Sequence, residues 1–300
     1  MIYKKKAFAL SIVLWIVMIL FLSIVFIASI SKDNLNNTYM LKDKLNSQII
    51  LNNYFEALKY YILTSTNNGR LLSNNENILE LPNSIIVDGR DYKINKNITI
   101  SVQDVSSLVS YTKLYTFLDV KKYHELYISL IDTINDWLDI DNIQKLNGAE
   151  SSYYIKHKFA YIVPNVNLLQ SIDELKLIKG VRELGILYGK DYKKEVTYRY
   201  THINFLLIDK KRLASLLHLT LTESTYLIQL RDKNYKQFIN IIEKNKYFND
   251  SYMDFSLSYI FRIKIRVKLD SNVQSKLSTV IYTNKQETDK ILNIDNYKIY

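Results

Sequence analysis

The sequence contains no cysteine, which sets the first limit on the chemistry of the protein. Without a thiol, a disulfide framework, a thiol nucleophile and a cysteine-ligated zinc site are all excluded. Only six glycines and two prolines occur in 300 residues, and no glycine-rich loop that could hold a phosphate is present. The four histidines lack the His-Glu-x-x-His pattern, and a Gly-x-Ser-x-Gly motif is missing. We therefore expect that the protein is not an enzyme.

The composition is that of a folded chain, with 48% hydrophobic and 23% charged residues. The net charge is +10, but the lysines are scattered among aspartates and glutamates rather than gathered in one run. This distribution favours a solvated basic surface over a nucleic-acid groove. No nucleic acid is expected as a partner.

One long apolar run, from Ala7 to Ile30, contains no charge, proline or glycine. As a helix it would be about 36 Å long, enough to cross a hydrocarbon core of about 30 Å. Three lysines (residues 4–6) come directly before it, so the positive-inside rule keeps the short N-terminus in the cytoplasm. The chain after Lys32 is then predicted to lie outside the cytoplasm.

Three interpretations of this run compete. A cleaved secretory signal would have a shorter apolar region and a small-x-small cleavage site, whereas a plain signal anchor fits the length. The third rests on the boundary sequence Lys-Lys-Lys-Ala-Phe-Ala-Leu, which resembles the leader of type IV pilins and of type II secretion pseudopilins. That resemblance implies cleavage between Ala7 and Phe8, with Ala7 in place of the usual glycine. It also puts Ile12 at the fifth mature position, where major pilins have glutamate.

The pattern after the membrane segment predicts an α+β fold. Apolar residues continue at helical spacing and predict one long helix from Phe8 to about Leu63, followed by a polar loop over 71–83. Residues 85–101 are predicted as strands with a hairpin at Asp88-Gly89. Apolar and basic residues alternate over 261–269, which predicts a half-buried antiparallel strand, with a further strand after it.

Between these strands the periodicity is helical, so a helical block is predicted to be inserted into the sheet. Two sequences in the block, Ser171 to Glu174 and Thr220 to Glu223, have the pattern of a capping box. In a capping box the first side chain and the last satisfy free N–H groups at a helix start.

An acidic cluster within the block could bind a cation. Its oxygen-bearing residues, near the end of a predicted helix over 123–138, are Asp136, Asp139, Asp141, Asn147 and Glu150. Hard cations such as Ca²⁺ take six to eight oxygen ligands, often from one loop closed by a glutamate. Clustered carboxylates at a helix C-terminus also repel each other and the helix dipole unless they are paired or bound to a metal.

This cluster is not an EF-hand. Counted from Asp139, suitable side chains fall at positions 3, 9 and 12, but positions 5 and 6 are Ile143 and Gln144, where an acid or amide and a glycine are required. Two alternatives therefore stay open on spacing alone. The cluster is either a cation site or a solvated acidic loop relieved by Lys145 and Lys156.

Several motifs occur in the order of a known family. They are Asp136-Trp-Leu-Asp139, Gly148-Ala-Glu150, the aromatic pair Tyr153-Tyr154, and Ser171-Ile-Asp-Glu-Leu-Lys-Leu-Ile-Lys-Gly180. A weaker match to the family pattern is His202-Ile203-Asn204. Together they resemble the general secretion pathway protein K family, the largest minor pseudopilin of type II secretion.

The resemblance implies a pilin-like α+β fold with a long N-terminal transmembrane helix, an antiparallel sheet and a large all-α insertion between strands. The expected domains are a prepilin-type leader (1–7), an N-terminal helix (8–66, with 8–30 in the membrane), a pilin-like α/β domain (67–114 and 250–300) and a helical insertion (115–249).

For function, the resemblance implies a minor pseudopilin at the tip of the type II secretion pseudopilus. Such a protein starts assembly with two other minor pseudopilins (the I and J types) and serves protein secretion across the outer membrane. The major pseudopilin, the prepilin peptidase and the inner membrane are further expected partners, with the C-terminal domain in the periplasm. The alternative is a minor pilin of a type IV pilus or of a DNA-uptake system.

The resemblance also implies roles for particular residues. Phe8 would be N-methylated after cleavage, and Ile12 in place of glutamate fits a subunit with nothing above it. Members of the family bind calcium in the insertion, which implies Ca²⁺ as a cofactor here. The implied ligands are Asp136, Asp139, Asp141, Asn147 and Glu150.

Overall fold

A computed structural model gives the fold of residues 2–111, 114, 124–159, 163–164, 169, 171–181, 196–197, 202–269, 273–283 and 292–299. The α-helices in this part of the chain are α1 (Ile2–Thr64), α2 (His124–Leu138), α3 (Ser151–Lys156), α4 (Lys210–Leu217), α5 (Leu221–Lys233) and α6 (Tyr235–Glu243). The 3-10 helices are Val105–Ser107 and Ile172–Leu177. The strands are β1 (Thr66–Asn67), β2 (Leu71–Ser73), β3 (Ser84–Ile86), β4 (Asp88–Lys93), β5 (Ile98–Asp104), β6 (Val109–Ser110), β7 (Val196–Thr197), β8 (Ile203–Asn204), β9 (Met253–Asp254), β10 (Ile260–Lys268), β11 (Gln274–Thr283) and β12 (Leu292–Ile299).

Helix α1 is unbroken over 63 residues, about 95 Å in length, which confirms the prediction of one long helix. Its apolar side chains from Ile12 to Ile30 are exposed. Among the helices that the structure describes, α1 is the one that is long and apolar enough to cross a membrane. Its C-terminal part, from Leu51 to Ile62, packs on the sheet. The helix thus has an exposed apolar half towards its N-terminus, and its buried residues are confined to the last turns before Thr64.

The main sheet is antiparallel, with strand order β12–β11–β10–β5–β4. The central strand β10 pairs with β11 along its whole length and with β5 from Phe261↔Asp104 to Val267↔Ile98. Its apolar residues are buried beneath α1, while its basic residues are half-buried or exposed, so the predicted alternation is confirmed. Because β5 precedes the helical block and β10 follows it, the block is inserted between neighbouring strands of one sheet.

The inserted block contains two small hydrophobic cores. The first forms around Trp137 and Tyr154, from α2, α3 and the second 3-10 helix. The second forms around Phe205 and Phe238, from α4, α5, α6 and residues 203–208. The predicted capping box at Thr220 is confirmed at the start of α5, where its side chain and that of Glu223 each bond the other's backbone N–H.

The predicted hairpin at Asp88-Gly89 is wrong. Strand β3 pairs with β2, and β4 pairs with β5 through a turn that follows Lys93. In that turn the Asn97 N–H donates to Asn95 Oδ1 (2.9 Å), the local bond through which asparagine side chains favour turns. Gly89, with φ +86°, lies at a register shift between Asp88 and Asp91, so its positive φ serves a β-bulge rather than a turn.

Two further predictions need correction. The predicted polar loop over 71–83 begins with strand β2, whose Leu72 is buried against the main core. The predicted capping box at Ser171 is not formed, because the Ser171 side chain makes no cap bond and Glu174 instead accepts from Trp137 Nε1 (2.8 Å). Strand β12 was not predicted; it extends the sheet beyond β11.

Two buried polar side chains fasten the inserted block to the sheet. Asp104, fully buried at the end of β5, accepts hydrogen bonds from the backbone and hydroxyl of Ser106 and Ser258. Asn204, also fully buried, donates to the carbonyl oxygens of Gly69 and Ser256 (both 2.7 Å) and accepts from the Leu206 N–H. These bonds hold the segments through which the chain leaves the sheet and returns to it.

Candidate metal centre

Three carboxylates meet where α2 ends and α3 begins. Asp136 lies in the last turn of α2, Asp139 directly follows the last residue of that helix, and Glu150 is the residue before the first turn of α3. The Glu150 side chain makes no capping bond and is only 2% exposed. The three side chains each offer an oxygen within 4.8 Å of the others. The structure therefore brings three of the five predicted ligands into one cluster.

Gly148 makes this close approach sterically possible. A Cβ atom at this position would lie 1.8 Å from Asp136 Oδ2, far inside van der Waals contact. The neighbouring Ala149 is fully buried, and the Gly148 N–H donates to the Lys145 carbonyl (3.0 Å). The Gly-Ala-Glu sequence thus combines a residue with no side chain, a small buried residue and the buried carboxylate.

Lys145 supplies positive charge to the cluster. Its Nζ lies 2.5 Å from Asp139 Oδ2 and 3.2 Å from Asp136 Oδ1, and its backbone N–H donates to Asp136 Oδ2 (3.1 Å). The bond to Asp139 raises the pKa of Lys145, and the bond to Asp136 adds to this effect. One cation therefore faces three carboxylates, which leaves the cluster with a formal charge of −2 when all are ionised.

Glu150 is the carboxylate of the cluster that Lys145 does not contact. Both of its carboxylate oxygens are buried without a hydrogen-bond partner, as is Asp139 Oδ1. Burial raises the pKa of Glu150, and the negative charges of Asp136 and Asp139 raise it further. Three buried, unpartnered carboxylate oxygens in one place are the kind of donor that a hard divalent cation prefers, and they would supply part of the six to eight oxygens that Ca²⁺ takes, so these residues fit Ca²⁺.

The other two predicted ligands lie apart from this cluster. Asp141 is exposed, and its Oδ1 accepts from the Ile143 N–H (2.8 Å). Asn147 donates through its N–H and its Nδ2 to Asp132 Oδ2 (3.1 and 3.3 Å), and Asp132 is not one of the five predicted ligands. Spacing alone could not separate the residues that point inward from those that stabilise the loop.

Aromatic and basic side chains support the cluster from the core side. The rings of Trp137 and Tyr154 pack edge to face at 5.4 Å, and the Tyr154 hydroxyl accepts from the Lys179 N–H (3.0 Å). Lys179 Nζ donates to the carbonyl oxygens of Asn147 and Gly148 (both 3.1 Å). The Asp-Trp-Leu-Asp, Gly-Ala-Glu and Tyr-Tyr sequences, together with the segment around Lys179, are therefore parts of one structural unit.

Comparisons with known proteins agree with this architecture. Residues 90–186 match the family model for the type II secretion system (T2SS), protein K, a range that begins in β4 and contains the whole cluster. The resemblance to the protein K family is confirmed. A chain in the crystal structure of the GspK-GspI-GspJ complex from the enterotoxigenic Escherichia coli type 2 secretion system has the same fold. It matches with a TM-score of 0.52 and 12% identity, over 90% of this chain and 99% of that one. A comparison with curated proteins finds none that matches.

The protein K match covers about a third of the chain, and the structural match extends the shared fold to the helix and the rest of the sheet. The family-model match is to a component of the type II secretion system, and the structural match shows the fold. The predicted processing residues Ala7 and Phe8 lie within the first turns of α1, and Ile12 lies on the same helix with its side chain 45% exposed. One N-terminal apolar helix fits the single-pass anchor of a pseudopilin.

Proposed function

We propose that the protein is the tip subunit of a type II secretion pseudopilus and starts its assembly for protein secretion across the outer membrane. The observation that carries this proposal is the combination of one unbroken helix, an antiparallel sheet and a helical block inserted between β5 and β10. The same fold occurs in a chain of the GspK-GspI-GspJ complex. By analogy, the partners here are two other minor pseudopilins, of the I and J types, with the major pseudopilin below them.

The exposed apolar half of α1 supports an inner-membrane location. Nothing in the described structure covers the side chains between Ile12 and Ile30, so they need lipid or neighbouring helices around them. The lysines at 4–6 keep the leader in the cytoplasm, which leaves the folded domain in the periplasm. We propose that the prepilin peptidase cuts between Ala7 and Phe8 and that the new N-terminus is methylated.

Ile12 supports a position at the tip. A glutamate at this position in a filament would pair with the N-terminal amine of the neighbouring subunit above, since an unpaired charge in an apolar core is costly. An isoleucine offers no partner to a subunit above it, but it costs nothing where no such subunit exists. The apolar side chain is therefore compatible with the end of a filament and unsuited to its shaft.

We also propose that Asp136, Asp139 and Glu150 hold calcium. A bound Ca²⁺ would supply two positive charges to a cluster of formal charge −2 and would fix the loop between α2 and α3. Within this site, Glu150 provides two unpartnered oxygens and Asp139 provides one. Lys145 takes over part of the charge compensation when no cation is bound, because its ammonium group already contacts both aspartates.

Co-purification tests the proposed function. The full chain, tagged at its C-terminus and extracted from membranes in detergent, is expected to carry two smaller minor pseudopilins in near-equal amounts. Peptide mass spectrometry of the same preparation should find an N-terminus at N-methylated Phe8. Association with a major subunit alone would favour a type IV pilus or DNA-uptake minor pilin, and an intact Met1 would contradict processing.

A further inference from the structure

A small cavity lies between the sheet side of the molecule and the second helical core. It has a volume of about 210 Å³ and is formed by the segment from Asn68 to Leu71, by Ile86 and Leu206, and by one face of the α5–α6 corner. The polar side chains that line it are Asn68, Arg70, Arg231, Asp232 and Tyr235. Two guanidinium groups therefore share one cavity with a single carboxylate.

The charges in this cavity do not balance. Arg70 Nη1 lies 2.7 Å from Asp232 Oδ1, and Arg231 Nε lies 3.7 Å from the same oxygen, so one carboxylate faces both arginines. Asp88 is close enough to influence Arg231, but its carboxylate is bound by Arg90 in a bidentate pair. Among the described residues, the two cavity arginines thus keep a surplus of one positive charge.

Hydrogen bonding is incomplete as well. The Arg231 side chain is only 9% exposed and donates through Nη1 to the carbonyl oxygen of Ile208 (2.8 Å). Its Nε and the Nε of Arg70 are both buried without a hydrogen-bond partner. A buried N–H of a charged group without an acceptor costs stability, so the site lacks an acceptor as well as a negative charge.

The electrostatic surroundings of Arg231 are consistent with this surplus of positive charge. Burial and, to a smaller extent, the neighbouring charge of Arg70 together lower the pKa of Arg231 to about 10, against the opposing charges of Asp232 and Asp88. Guanidinium groups are planar forks that match the two oxygens of a carboxylate or phosphate. An oxyanion that enters the cavity would provide both the missing charge and the missing acceptors.

We propose that the cavity between Arg70 and Arg231 is a binding site for one small oxyanion with carboxylate or phosphate chemistry. The site lies outside the carboxylate cluster and is independent of the tip role. The bound oxyanion would bridge the β1–β2 turn and helix α5. It would thereby stabilise the packing of the second helical core against the sheet.

Calorimetric titration of the full chain in detergent tests this proposal, with sodium phosphate and sodium acetate as probes and sodium chloride at matched ionic strength as reference. At least one oxyanion is expected to bind saturably and more tightly than chloride. Arg70→Gln should weaken binding about tenfold, since it removes one charge-assisted hydrogen bond. Asp232→Asn should tighten binding about threefold or more, because it removes the competing carboxylate.

Arg266→Gln is the matched control, because it removes an arginine that pairs with Asp91 at the surface and does not line the cavity, and it should leave binding unchanged. The Asp232 side chain is 53% exposed, so its variant tests the site even if the Arg70 variant does not fold. The proposal is overturned if neither oxyanion saturates, or if Asp232→Asn weakens binding.

Discussion

Replacing Glu150 with glutamine is expected to change the stability of the helical insertion in opposite directions with and without calcium. In EDTA, the variant should be the more stable protein, with a free energy of unfolding about 1 kcal/mol or more higher than that of the original chain. The amide removes a buried unpaired charge and can donate to Asp136 or Asp139. With calcium at one hundred times its Kd, the original chain should gain about 2.7 kcal/mol. The variant should lose this gain, because even changes to groups that only support metal ligands weaken metal binding about 10–100-fold.

Fluorescence of Trp137 provides the measurement, since this side chain is buried in the core beside the cluster. Trp15, the other tryptophan, lies in the exposed apolar half of α1 and should remain in detergent during unfolding. Glu243→Gln is the matched control, because it makes the same change of charge at an exposed position of α6. If millimolar calcium stabilises neither protein, or both equally, the cluster does not hold calcium through Glu150.

The same site predicts a dependence on pH in the absence of calcium. The pKa of Glu150 is raised in the folded protein above its ordinary value of 4.5. Ionisation of Glu150 therefore destabilises the folded state at pH values above the raised pKa. As the pH falls through the raised pKa towards 4.5, the original chain should gain stability relative to Glu150→Gln.

Replacing Asp104 with alanine is expected to cost about 3 kcal/mol of unfolding free energy. Its carboxylate is fully buried and accepts from the N–H groups of Ser106 (2.8 Å) and Ser258 (3.1 Å), and from both hydroxyls. The alanine variant leaves these buried donors without an acceptor, and such losses cost about 1–3 kcal/mol each. Because Asp104 joins the end of β5 to the approach to β10, the damage should appear in the sheet and in the insertion together.

Urea unfolding of the full chain in detergent measures this loss. Asp91→Ala is the control, because Asp91 is more than half exposed and pairs only at the surface with Arg266. Its cost should stay within about 0.5 kcal/mol. If the two variants are equally stable, Asp104 does not hold the junction.

Patterns with a regular period predicted the elements that carry the fold. Helix α1 and strand β10 have long, uninterrupted periodicity, and both occur where the sequence places them. The capping box at Thr220 also formed, because its two side chains are exposed and have no competing partner in the core. These are local signals whose outcome does not depend on distant residues.

Signals that depend on tertiary contacts were less informative. Glu174 belongs to a capping pattern, but the indole N–H of Trp137 is a better partner in a buried setting. Gly89 allows a turn and a bulge equally well, and the pairing of β3 with β2 decided between them. Within the cluster, the sequence identified Asp136, Asp139 and Glu150 as acidic neighbours. It could not predict that Asn147 turns to Asp132, since that contact depends on the path of the loop.

Position within the filament is the central claim, and labelling of assembled pseudopili tests it most directly. Filaments produced by overexpression of the secretion system would be labelled with gold-conjugated antibodies against the helical insertion and viewed by electron microscopy. A tip subunit that starts assembly predicts label at one end of each filament and bare shafts. Label repeated along the shafts would contradict the tip position and the interpretation of Ile12.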